Sequence, residues 1–123
     1  SVASFQLWSS PHFDPEKHRA RSERSILRSF RPVGTARQTT AIMASPDRTA
    51  GLGAVQVSTL VIHGMVDTLV KPSGGIATAA AVPGARLLMF PDMGHDLPES
   101  RWVEMVEAIQ QNASRAEAAG QTS

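Results

Sequence analysis

Two short segments carry the residue types that acid–base chemistry needs: His63-Gly64-Met65-Val66-Asp67 and Asp92-Met93-Gly94-His95-Asp96. An imidazole takes up and returns a proton near neutral pH. A carboxylate beside it fixes the ring tautomer and stabilises the protonated form. Asp67 and His95 are the candidate pair. An Asp after a strand also serves as a turn or capping residue, and a loop histidine often serves structure alone, so spacing leaves both roles open. His63, Asp67, Asp92, His95 and Asp96 together have the donor types of a metal cluster. Metal ligation by these residues is possible in principle, but neither a metal nor a cofactor is expected. His63 is expected to pack or hydrogen-bond at its strand end.

The elements that must position the pair are legible around it. Thr59-Leu60-Val61-Ile62-His63 is a compact β-rich run closed by Gly64, suited to a strand covered on both faces. A helix is expected from Pro72-Ser73, with Ile76, Ala79 and Ala80 on one stripe, stopped by Pro83-Gly84. Arg86-Leu87-Leu88-Met89-Phe90 is the next strand, ended by Pro91. Asp96-x-x-Glu99 has capping-box spacing before a helix in which Trp102, Met105, Val106 and Ile109 would pack on the sheet. Strand, helix, strand, helix with short connections describes a parallel α/β unit over residues 54–112. In such a unit Asp67 and His95 emerge from the same edge, the C-terminal one, where open α/β sheets gather their functional groups. Gly64 and Gly94 are expected to let the backbone turn sharply beside them. Two strands cannot make a stable doubly covered sheet, so missing partner strands are expected, upstream or on another polypeptide.

Residues 1–53 have a different character, with many arginines and scattered apolar residues. Asp14-Pro15-Glu16 reads as a helix start, and Ile26, Leu27 and Phe30 recur at helical spacing before Pro32 and Gly34. A second helix is expected from Thr35 to about Ala44, ended by Ser45-Pro46-Asp47. Lys17, Arg19, Arg21, Arg24, Arg28 and Arg31 read as the solvated face of the first helix, with contact to an anionic substrate or membrane surface as the lesser reading. Residues 113–123 are rich in Ala, Gly, Ser and Gln and are expected to fray as a disordered tail.

The chain of 123 residues, 41% hydrophobic and 19% charged, has the make-up of a single globular domain. Its formal net charge of +1 argues against nucleic acid or an acidic membrane as partner. No apolar run approaches the ~18 residues of a membrane span. Without cysteine there is neither a disulfide framework nor a thiolate zinc site, and the cytoplasm is the default location. The chain does not begin with Met, and a processed form or a piece of a longer protein is expected.

The segment from Val57 to Val70, an apolar strand followed by His-Gly, two residues and Asp67, resembles the strand-and-acid segment of α/β-hydrolases. The segment from Phe90 to Pro98 resembles the one that carries their histidine, and Pro83-Gly84-Ala85 fits as well. The likeness covers roughly residues 52–112 and is nearest to bacterial, mycobacteria-like carboxylesterase and lipase members. It implies an α/β fold, the C-terminal portion of an α/β-hydrolase, with residues 11–50 the remnant of a helical cap. It implies Asp67 and His95 as the acid and histidine of a catalytic triad acting on a small-molecule ester. The family often has Pro where Ser58 and Thr68 stand here. The larger departure is the nucleophile. No Gly-x-Ser-x-Gly elbow and no oxyanion-hole segment occur, so the Ser-bearing N-terminal half is expected elsewhere and this chain alone is expected to be inert. The competing expectation is a truncated or decayed product without catalysis, persisting at most as an interaction fragment.

Overall fold

A local sequence logic governs where each element starts and stops. The computed structural model describes residues 2–121. Helices α1 (Val2–Gln6), α2 (Pro15–Arg28), α3 (Pro32–Ala44) and α4 (Thr49–Leu52) come first, followed by β1 (Leu60–Gly64), α5 (Pro72–Ala81), β2 (Arg86–Phe90) and α6 (Trp102–Gln121). Asp14 caps α2 by accepting the amide protons of Glu16 and Lys17, with Pro15 in the first turn. Pro32 and Pro72 stand in the first turns of α3 and α5, which have no side-chain cap, and α3 thus starts at Pro32 and not at the expected Thr35. Gly84 is the only described residue in the left-handed region, at φ 69°, and makes the turn into β2.

β1 and β2 are parallel neighbours, in a register that runs from Leu60 opposite Arg86 to Gly64 opposite Phe90. Alternate residues of a strand face opposite sides of the sheet. On one side Ile62 and Leu88 pack against Phe90, Met93 and Met105 of α6, the central apolar cluster. On the other the His63 ring lies against Gly75 of α5. The stripe of α5 turned to the sheet is therefore Gly75, Thr78 and Ala79, continued by Val82 just past the helix, one residue from the expected stripe, and Ile76 is exposed. Gly75 occupies the place where a larger residue would collide with the imidazole.

Three further expectations are corrected. Asp96 does not cap α6, because its carboxylate is engaged by Ser10 and Gly94, and α6 follows a single 3-10 turn at Glu99–Arg101. Of the four apolar residues on the α6 stripe only Met105 is buried; Trp102, Val106 and Ile109 are exposed, since two strands are too narrow to cover a helix of this length. α6 also continues through residues 113–121, where composition suggests a fraying tail; Ala113, Ala116, Ala118 and Ala119 are strong helix formers. Residues 122 and 123 of that stretch lie outside the described residues.

In α2 and α3 no residue is buried, and Leu27 and Met43 are 87% and 84% exposed. With little packing to hold them, their amides should exchange with solvent faster than those of β1, α5 and β2. Equal or stronger protection in α2 and α3 would show that these helices have cover.

The end of β2 is pinned by charge. Arg101 lies over the Phe90 ring, 5.4 Å from its centroid, and donates to Asp92 at 3.0 Å. His12 meets the other Asp92 oxygen at 2.8 Å. Hydrogen bonds from Arg101 and His12 hold the Asp92 carboxyl well below its ordinary 3.8, at about 2. A depressed carboxyl stabilises the fold above its unfolded value and ceases to do so as it protonates in the folded state. Asp92→Asn should therefore flatten the loss of stability between pH 3.8 and about 2. An acid limb unchanged in circular-dichroism melts would show that Asp92 does not couple to folding.

Candidate functional site

The loops that follow β1 and β2 are joined backbone to backbone. Met65 N–H donates to Phe90 O at 2.9 Å and Val66 N–H to Met93 O at 3.1 Å. Gly64 sits at the crossing, where a Cβ would run into the carbonyl groups of Met93 and Gly94. Gly94 is enclosed likewise, with the backbone of residues 8–10 where its Cβ would be. Neither glycine has a positive φ, so these positions require close approach and not the turn conformation expected of them.

The crossing brings the two candidate side chains together. Asp67 and His95 emerge from the C-terminal ends of adjacent parallel strands, with Asp67 Oδ2 2.8 Å from His95 Nδ1. The other oxygen, Oδ1, accepts the amide protons of Leu69 and Val70, each at 2.9 Å. The two oxygens thus have separate duties, and the carboxylate cannot rotate without breaking three hydrogen bonds. The Asp67 side chain is 4% exposed. Burial opposes its charge, but the amides of Val70 and Leu69 and the His95 ring outweigh that and hold the carboxyl below its ordinary value. An ionised carboxylate only accepts, so Nδ1 of His95 carries a proton, and it is the neutral form of the ring that presents a lone pair at Nε2. The His95 side chain is 43% exposed and able to meet a second reactant.

His63 has a structural partner. Its Nε2 lies 2.9 Å from Val70 O, which accepts, and 3.7 Å from Asp67 Oδ2. It thereby ties the end of β1 to the loop that holds Asp67. Asp92 and Asp96, the other members of the acid and histidine group, face away into the contacts with Arg101 and His12 and with Ser10. Among the described residues no three His, Asp or Glu side chains are grouped as metal ligands.

The N-terminal segment contributes contacts that sequence spacing does not announce. His95 N–H donates to Trp8 O at 2.6 Å, and Thr68 Oγ1 donates to Leu7 O at 3.1 Å. Ser10 donates twice to Asp96, from its backbone N–H and its hydroxyl, both at 2.7 Å. Residues 7–10 thus form a strap across both loops. Phe5, Phe13 and His18 cluster beside it, Phe5 stacked on His18 with ring centroids 4.2 Å apart. The only sequence signal for these contacts is the density of aromatic residues between Phe5 and Phe13.

The serines of the strap do not serve as partners to His95. Ser9 Oγ donates to Phe5 O and Ser10 Oγ to Asp96, so the two serine hydroxyls of the strap are committed elsewhere. No family model matches the chain, and no described helix is long and apolar enough to cross a membrane.

Gly64→Ala should separate the two loops, because the added methyl meets backbone that has no rotamer to yield with. The downfield proton resonance expected of an imidazole Nδ1–H bonded to a carboxylate should then be lost. Its persistence at the same chemical shift would show that the crossing is not what holds the pair.

Proposed function

We propose that the chain is the C-terminal part of a serine hydrolase of the α/β-hydrolase type, carboxylesterase- or lipase-like, with His95 as base and Asp67 as its orienting partner. The observation that carries this is the 2.8 Å contact between a buried, amide-held carboxylate and Nδ1 of a half-exposed histidine at the ends of parallel strands. The open strand edges and the uncovered Trp102, Val106 and Ile109 favour additional strands beside these two. Ser58 and Thr68, where the family often has Pro, carry hydroxyl contacts to Asn112 and Leu7.

In this reading His95 Nε2 removes the proton of a serine hydroxyl supplied by residues outside this chain, as that oxygen bonds to the ester carbonyl carbon. Asp67 stabilises the resulting imidazolium and prevents the ring from turning. The imidazolium then gives its proton to the departing alkoxide, and a water deprotonated by Nε2 releases the acid and frees the serine. Donors for the oxyanion belong to the missing half.

The second reading, an inert or interacting fragment, has support from the committed hydroxyls of Ser9 and Ser10. The purified chain should hydrolyse a short activated ester no faster than free imidazole and should take no fluorophosphonate label. Labelling at any serine would overturn the incompleteness of the site. Joined to an upstream segment with a Gly-x-Ser-x-Gly elbow, the chain should support esterase activity, and His95→Ala should reduce kcat by about 10⁴-fold or more. An active longer protein indifferent to His95→Ala would remove His95 as base.

A further inference from the structure

Between the N-terminal helices and the His95 loop lies a cleft of about 420 Å³, within the range of small-molecule sites. Phe5, Phe13 and His18 line it together with Leu97, Pro98 and His95. Two side-chain contacts tie together the elements around it, His12 to Asp92 at 2.8 Å and Lys17 to Glu99 at 3.0 Å. The stacked rings offer an apolar surface to an aromatic or alkyl group, which gains by leaving water.

The charges around the cleft are nearly all spoken for. Asp14 accepts the amides that cap α2, Asp96 accepts from Ser10 and Gly94, and Glu99 holds Lys17. Arg21 also lines the cleft, and among the described residues it has no ion pair and no side-chain hydrogen bond. A guanidinium so placed matches a carboxylate, which it can bind through two parallel hydrogen bonds.

We infer that this cleft is the substrate pocket of the His95 site and that it takes esters with an apolar or aromatic group and a second, ionised carboxylate, the latter met by Arg21. The assignment rests on His95 being the base of the site. The half-esters of dicarboxylic acids are the simplest members of this class. Neutral esters of the same size would fill the apolar walls and leave Arg21 unmatched.

Monobenzyl glutarate and its neutral counterpart benzyl methyl glutarate, titrated into the whole chain, test this without any need for turnover. Aromatic and amide NMR shifts should move at Phe5, Phe13, His18 and His95 for both. The half-ester should bind about three- to fivefold more tightly, the size of one exposed ion pair. Arg21→Gln should abolish that preference and leave the affinity of the neutral diester unchanged. Equal affinity for the two esters in the native chain, shifts confined to other surfaces, or no saturable shift would each overturn the inference. These failures would leave the base assignment standing, since that is read from His95→Ala in the longer protein. Conversely, loss of that assignment would leave the measured ester preference intact.

Discussion

At Gly64 the backbone leaving β1 passes so close to the Met93–Gly94 peptide that a side chain has no room. Everything at this edge of the sheet follows from that crossing. It permits the hydrogen bonds from Met65 and Val66 to the chain leaving β2, which bring the two loops together. It brings Asp67 under His95 and leaves the carboxylate one oxygen for the backbone and one for the imidazole. The parallel register sets the two strand ends level, and the crossing turns level ends into a contact.

Around this edge the molecule is thinly built. Among the described residues the buried apolar side chains are Val82, Phe90, Met93, Pro98 and Met105, while the exposed ones include much of α2, α3 and the outer stripe of α6. Hydrophobic stabilisation scales with the apolar area removed from water, so order is concentrated where β1, α5, β2 and the start of α6 meet. Polar contacts do much of the remaining work. Asp92, Asp96 and His63 all have the residue types of a chemical site, yet each holds a loop or a strand end in place.

The α/β unit was legible because its signals are local. The run Arg86–Phe90 is bounded by Pro-Gly-Ala and by Pro, and the strand occupies those five residues. The position of Asp67 and His95 at one sheet edge followed from the strand-then-glycine pattern shared by both sites. What was not legible depends on partners far along the chain. Asp96 has capping-box spacing, but Ser10 competes for its carboxylate from 86 residues away. The α5 stripe was displaced by one residue because the His63 ring needs Gly75, a demand no helical periodicity registers. Helices α1 and α4 are too short for periodicity to show at all.

The strap of residues 7–10 has a kinetic consequence. Strand β1, helix α5 and strand β2 are neighbours in sequence, and their pairing closes loops of modest length. The contact between Ser10 and Asp96 closes one of 86 residues. Loop-closure entropy rises with length, and distant pairings form after local ones have reduced the chain's freedom. The bond between His95 and Trp8 therefore forms late, after the sheet that carries Asp67. During folding the crossing that carries Asp67 and His95 forms first, and the strap closes over it when residues 7–10 arrive.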